Sequence, residues 1–357
     1  MRLFRRNKER SGSTAVVERP QVDRPKETVD DFEGSTEELF AEIERLTEAN
    51  RANGDRDTER RLVHLRHLAG IRLLVESGDR PDHPEPDFAR LPDGDPLPEL
   101  RPEDVTPELI RAGILRDGCL LVRGLVDRDA ALRFAGQIDR AFAERDRLIA
   151  GETPADGYYE DFQARPPFEV ADGARLWVQQ GGGLLAPDAP LLAYEMFEIF
   201  GKAGLPKLVG DFLGEHPMVS IQKTTLRKAE PHVGGAWHQD GAFMGDVRAL
   251  NLWLSLSRCG DESPGLDIVP KRLDHIVATA TDDAVLDYQV SQAKAEEAAG
   301  DKPIVRPIFE PGDALFFDEL FLHQTGSDPS MPKPRFAIES WFFGGSAFPR
   351  EYAPIAV

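Results

Sequence analysis

The chain has 357 residues, 41% of them hydrophobic, which suits one large globular domain with an extension or two modest domains. Its formal charge of −20, from 63 acidic and 43 basic residues, repels phosphate backbones and argues against nucleic-acid binding. No apolar run nears the ~20 residues of a membrane span, the basic start MRLFRRNKER is followed by no apolar secretory segment, and Cys119 and Cys259 are too few and too distant for a disulfide framework; these features predict a cytoplasmic chain.

Residues 1–34 are rich in Arg, Glu, Asp, Pro and Ser and predict a disordered tail whose basic residues are solvated. From Ser35 the pattern turns helical. Ser35 or Thr36, followed by acids, offers a capping box, and Leu39, Phe40, Ile43 and Leu46 recur at helical spacing. Leu62, Leu65, Leu68, Ile71, Leu74 and Val75 predict a second helix, so residues 35–79 read as a helical hairpin, either a packing extension or the surface of a homodimer. Residues 80–103, dense in proline and aspartate, read as a linker with His83 solvated in it.

The main domain is expected over 104–357. It opens with a helix, a short strand in GCLLVRGL, and an amphipathic helix from about Asp127 to Leu148. Beyond residue 215 the hydrophobic period shifts to two. ALNLWLSLS places Leu250, Leu252, Leu254 and Leu256 on one face and Asn251, Trp253, Ser255 and Ser257 on the other; RFAIESWFF places Arg335, Ala337, Glu339 and Trp341 together. Between them, EPGDALFFDELFLHQTG reads as a Pro-Gly-Asp turn followed by an apolar strand. Short strands between Gly and Pro turns, behind a helical first half, predict a mainly β fold with flanking helices, a sandwich or barrel. No internal repeat and no glycine-rich nucleotide loop occurs.

Within GGAWHQDGAF, residues i and i+2 of a strand share a side, so His238 and Asp240 project together and Gln239 points away. Surface polarity, a buried hydrogen-bonded pair and two ligands of one metal ion all fit that dipeptide spacing. The metal reading needs a third ligand from His64, His67, His83, His216, His232, His275 or His323. His64 and His67 fall on a predicted helix, His83 in the linker, His232 in an approach loop and His275 near a strand end. His323 ends an apolar strand ahead of a polar QTG and is the strongest candidate. Two histidines and one carboxylate on one face, with open positions opposite, are the ligand set of non-haem Fe(II) oxygenases. Arg335 begins an alternating strand; turned inward it needs an anion, because an uncompensated buried guanidinium is costly. Its planar fork suits a carboxylate, and the Thr325 hydroxyl can add a bond, as the far end of 2-oxoglutarate would require. An internal salt bridge, for instance with Glu339, is the alternative.

With these motifs in order, the chain from about Asp104 to its C-terminus resembles the phytanoyl-CoA dioxygenase family of Fe(II)- and 2-oxoglutarate-dependent oxygenases. The segments that carry the likeness are VTPELIRAGILRDGCLLVRGLVDRDAALRFAGQID, AWHQDGAF, PGDALFFDELFLHQTG and RFAI. The resemblance implies a double-stranded β-helix core of the jelly-roll, cupin-like kind. It implies His238, Asp240 and His323 as iron ligands, and Thr325 and Arg335 at the far carboxylate of 2-oxoglutarate. Gln222 and Trp253 are implied as secondary cosubstrate contacts, and O2 as the second cosubstrate. Halogenating relatives replace the carboxylate ligand with a small residue; Asp240 is intact, which favours hydroxylation, with desaturation and ring chemistry as the alternatives. Where the family often reads Pro-Gly-Ser-His, this chain has VPKRLDHIV, so Lys271, Arg272 and the stretch Thr279 to Lys302 are where substrate contacts should differ. The substrate is expected to be a small molecule, free, as an acyl thioester, or tethered to a carrier. The rival readings are a cupin-like metal enzyme that does not use 2-oxoglutarate and a non-catalytic β-sandwich binding module.

Overall fold

The computed structural model describes residues 32–282, 284–349 and 351–357. The tail expected over 1–34 lies outside them except for its last three positions. The chain begins with helices α1 (Thr36–Asn53) and α2 (Arg56–Glu76), then strand β1 (Glu99–Leu100), α3 (Pro107–Asp117), β2 (Cys119–Val122) and α4 (Arg128–Ile149). Next come α5 (Asp172–Gln180), β3 (Gly183–Leu185), α6 (Pro190–Lys202), α7 (Leu205–Leu213) and the long β4 (Met218–Ala229). The C-terminal half holds α8 (Gly241–Met244), β5 (Ala249–Ser255), β6 (Gly265–Ile268), α9 (Gln292–Ala299), β7 (Ala314–Phe317), β8 (His323–Gly326), β9 (Arg335–Phe343) and β10 (Pro354–Ala356).

The fold is a double-stranded β-helix with flanking helices and an N-terminal helical extension. One large sheet runs β1-β2-β7-β5-β9-β4-β10, with β3 also paired to β4; β6 and β8 form a second, smaller sheet. Isolated bridges widen the small sheet, joining Trp237 to Val290, His238 to His323 and Ile268 to Val305. The leucine face of β5 is buried against helices: Leu250, Leu252 and Leu254, with Leu256 just beyond the strand, pack with Ile110 of α3, Phe134 of α4, Phe200 of α6 and Phe212 of α7. Each fully buried leucine of this kind contributes about 1.5–3 kcal/mol. The other face of the large sheet meets the small one, where Trp253, Leu315, Phe317 and Trp341 pack with Leu266 and Ile268.

Ser35 caps α1 in a capping box: its hydroxyl accepts from the Glu38 amide while the Glu38 carboxylate accepts from the Ser35 amide. Gly54 ends the helix at φ 61°, and Asp55 caps α2 at once, which folds the pair back into a hairpin. Leu39, Ile43, Leu62, Leu65 and Ala69 of the hairpin cluster with Ala356, so its apolar stripe is buried against the chain's own last strand. The Pro/Asp-rich stretch 80–103 contributes β1, paired in parallel with β2, and buries Leu91 and Leu97. His83 is not solvated there: it packs against Phe212, and burial, helped by Arg111 and Arg248, pulls its pKa down to about 4.

Two sequence expectations need correction. EPGDALFFDELFLHQTG is not one strand but two, β7 in the large sheet and β8 in the small one, linked by 318–322. His323 therefore opens a strand of its own. Asp240 does not share an extended strand with His238; at φ −62° and ψ −25° it starts the helical turn α8, its carbonyl accepting from the Phe243 and Met244 amides.

Candidate active site

The site is built where the two sheets approach. His238 and His323 face each other across a bridge, exchanging both backbone hydrogen bonds (His238 N to His323 O 3.0 Å, His323 N to His238 O 3.1 Å), and their ring centroids lie 4.4 Å apart. Gln239 points away, as expected: its amide donates to the His275 and Leu320 carbonyls and accepts from the Val277 amide. That anchoring fixes the chain on both sides of the residue and brings Asp240 back toward the imidazoles. One ligand atom each from His238, Asp240 and His323 lies within 4.8 Å of the others.

Both imidazoles are set for coordination. Nδ1 of His238 donates to the Ala236 carbonyl at 2.7 Å and Nδ1 of His323 donates to the Phe321 carbonyl at 3.0 Å. A carbonyl can only accept, so the proton sits on Nδ1 and the Nε2 lone pair is free. Burial, then the neighbouring His238, lowers the His323 pKa to about 4, so this ring is neutral at ordinary pH. The Asp240 carboxylate has one buried oxygen, Oδ2, without a hydrogen-bond partner, and the other lies 3.6 Å from the Lys223 ammonium. Two imidazoles, each with Nδ1 bonded to a backbone carbonyl, and a carboxylate with an unmet oxygen fit a divalent ion of the borderline kind.

Deeper between the sheets sits Arg335, 3% exposed. Its Nη1 donates to the Gly265 carbonyl at 2.8 Å, its Nε is buried without a partner, and its guanidinium carbon lies 5.3 Å over the Trp253 ring. Among the described residues no carboxylate pairs with it. The expected alternative, Glu339, is held instead by Arg227 through Nε at 2.9 Å and Nη2 at 2.8 Å. Burial alone would raise the Glu339 pKa, but Arg227, Lys223 and His323 outweigh it and hold it at about 2. Burial draws Arg335 itself down to about 10, still charged at neutral pH. The neighbouring inward positions also carry unmet polar atoms: Thr225 Oγ1, both ends of the Asn251 amide, and Trp341 Nε1. Asn251 stands opposite Trp341, and Glu339 opposite both Thr225 and Trp253. A buried polar atom left unpaired costs about 1–3 kcal/mol, so this cluster offers hydrogen bonds to water or to a polar guest.

The structure thus gathers His238, Asp240 and His323 at one point, with Trp253 stacked on Arg335 behind them. Thr325 follows His323 by two on β8 and shares its side of the strand. Gln222 is placed differently: its amide donates to the Glu169 carbonyl and accepts from the Ala353 amide. Lys271 reaches the Ala298 carbonyl and Arg272 pairs with Asp318, so both basic residues of the divergent loop are engaged within the chain. Of the other candidate histidines, His275 is exposed beside Asp274, His67 is buried against the Pro354 carbonyl, His64 stacks on Phe162, and His216 packs on Phe40. Sequence patterning did not single out Lys223, Arg227 or Tyr288. Lys223 lies within, and Arg227 just past, a register shift in β4 between Val219 and Thr224, which hides which residues face inward.

Residues 114–335 match the family model described as phytanoyl-CoA dioxygenase. The chain belongs to the phytanoyl-CoA dioxygenase family. This family member is accordingly a non-haem Fe(II)- and 2-oxoglutarate-dependent oxygenase that consumes O2. No curated protein sequence matches the chain. Among solved structures it is similar to EctD from S. alaskensis with bound Fe, at 17% identity and a TM-score of 0.47, covering 77% of this chain and 97% of that one. It is also similar to EctD with 2-oxoglutarate and 5-hydroxyectoine (15% identity, TM-score 0.47, 75% and 85% covered). A third is the epimerase SnoN from nogalamycin biosynthesis in complex with Fe3+, alpha ketoglutarate and nogalamycin RO (20% identity, TM-score 0.41, 67% and 83% covered). Among the described residues no helix of this oxygenase is long and apolar enough to cross a membrane.

Proposed function

We propose that His238, Asp240 and His323 hold the Fe(II), that Arg335 with Thr325 receives the far carboxylate of 2-oxoglutarate, and that the enzyme hydroxylates a C–H bond of a small molecule. The observation that carries this reading is the pairing of two features: three converging ligand atoms, and a buried guanidinium with no carboxylate of its own among the described residues. Iron bound there supplies oxidative decarboxylation of 2-oxoglutarate to succinate and CO2 and, from O2, the oxidant for the substrate. The protein's residues do the rest. The Ala236 and Phe321 carbonyls fix both imidazole tautomers and ring planes. Lys223 steadies the Asp240 carboxylate, and Trp253 lies along the Arg335 guanidinium, excluding water from its flank. Arg227 keeps Glu339 occupied, so Arg335 stays available to an incoming dianion. Gln222 is left out of the cosubstrate site because its amide is already engaged. A metal enzyme without 2-oxoglutarate leaves Arg335 unexplained, and the buried apolar stripe of the N-terminal hairpin gives a carrier or a second subunit no support.

Purified protein supplied with Fe(II), 2-oxoglutarate and O2 should form succinate even without a substrate, and should bind Co(II) with a visible absorption band. A protein that does neither sinks the assignment. A second expectation concerns Gly235, whose amide donates to the Thr325 carbonyl at 3.1 Å; a Cβ there would sit 2.3 Å from the Thr325 nitrogen. Gly235→Ala must push the segment bearing His238 away from β8, and Co(II) affinity should drop by roughly 10–100-fold, the usual effect of disturbing what orients metal ligands. Unchanged affinity would show that this backbone contact does not set the site.

A further inference from the structure

The mouth of the metal site is lined with aromatic rings that face solvent. Tyr288, from the loop between β6 and α9, stands edge-on to three neighbours: Trp177 of α5 (5.8 Å between centroids, 78° between planes), Phe243 of α8 (5.5 Å, 86°) and His238 itself (6.1 Å, 82°). Phe243 and His238 are nearly parallel at 22°. Yet Trp177 remains 52% exposed and Phe243 40% exposed, and Leu176, Val285 and Leu286 beside them are exposed as well. Helix α5 buries Arg175 and Val178 in the protein while turning Leu176 and Trp177 outward, the reverse of what an ordinary surface helix does. An exposed apolar patch of this kind marks a binding surface.

The patch is held, not floppy. The C-terminal end of α5 is tied into the barrel, where the Gly181 carbonyl accepts from the same Arg227 that pairs with Glu339. The Tyr288 loop closes on itself through Ala280 N to Gln289 O and is bridged to the metal motif through Val290 N to Trp237 O. Ala280 and Asp282 adopt φ values of 55° and 52°, left-handed backbone that non-glycine residues take up only where the surroundings impose it. The Tyr288 loop and the α8 turn therefore bring their rings to His238, and α5 adds Trp177 on the outer side of Tyr288.

We propose that this trough selects the substrate: a flat, ring-bearing molecule without strong negative charge, stacked among Trp177, Phe243 and Tyr288 with its reacting carbon over the His238–Asp240–His323 site. The inference rests on the functional reading above. Since Phe243 and Tyr288 stand against His238, and Trp177 against Tyr288, whatever covers the inner two rings lies within reach of the metal position, which is where a substrate must sit and a docking protein need not. Perpendicular rings offer edges and faces that an aromatic guest can use and an alkyl chain cannot. Exposed Asp282 and Asp287 on the same loop, on a chain of net charge −20, disfavour a polyanionic thioester.

The test is calorimetric, on the full chain without metal, with three probes: 2-naphthol, 1-decanol and octanoyl-CoA. 2-Naphthol should bind tightest. Trp177→Ala and Tyr288→Ala should each weaken it by up to about tenfold, and Tyr288→Phe should restore wild-type binding, because the ring rather than the hydroxyl acts. Equal or tighter binding of either other probe overturns the proposal, as does indifference to both alanine variants. Co(II) titration of the wild-type chain tests the metal site by itself: ring selectivity without Co(II) binding refutes the iron assignment while upholding the trough, and Co(II) binding without ring selectivity does the opposite.

Discussion

His323→Ala should abolish succinate formation from 2-oxoglutarate. The loss should exceed the roughly 10–100-fold that follows from removing a ligand's outer partner, because here the ligand itself goes and only His238 and Asp240 remain. The variant also opens a hole among Phe317 and Phe321, whose rings lie 5.0 Å and 5.7 Å from the imidazole, so lost activity alone would be ambiguous. Asp240→Ala provides the control. It removes a small buried carboxylate at the start of a short turn rather than an aromatic ring packed between phenylalanines, and it should lose both Co(II) absorption and succinate formation while melting near the wild type. Retention of Co(II) binding by both variants would mean that the ion sits elsewhere.

Arg335→Leu should raise the KM for 2-oxoglutarate by at least about thirtyfold. Removing one partner of a buried charge-to-carboxylate contact typically costs about 2–5 kcal/mol, and each 1.4 kcal/mol is tenfold. Stability should move the other way, or hardly at all. In the absence of the cosubstrate Arg335 is a buried cation with an unmet Nε and, among the described residues, no carboxylate paired with it, so a leucine against Trp253 relieves a penalty instead of creating one. Arg335→Lys keeps the charge but loses the planar fork, and should recover only part of the affinity. The measurement is initial-rate kinetics with 2-oxoglutarate varied, beside urea unfolding. An unchanged KM in the leucine variant would remove Arg335 from the cosubstrate site.

Much of this could be read from the sequence, though not always for the expected reason. Alternation in β5 separated its two faces, but its polar face is the inside: Asn251 and Ser255 are fully buried. In a barrel that receives a charged guest, polarity no longer marks solvent. The His-X-Asp spacing pointed to a convergent pair, and the pair converges, yet through a helical turn of four residues, too short to leave a period. The strand pair β7 and β8 read as one because Leu320, Phe321 and Leu322 in the connection are as apolar as the strands themselves, and a period of two carries no sign of a change of sheet. Lys223 and Arg227 were hidden by the irregularity in β4. The aromatic mouth escaped because its rings come from three distant segments, and only the folded chain brings Trp177 to Tyr288.

Because positions 238 and 323 form a reciprocally bonded rung of a β-ladder, the main chain alone keeps two nitrogen donors side by side. Many small metalloproteins gain their shape from the ion they bind. This receptor is finished beforehand, so a chelator should silence it without dismantling it, and the entropy of gathering those donors was already met when the strands paired.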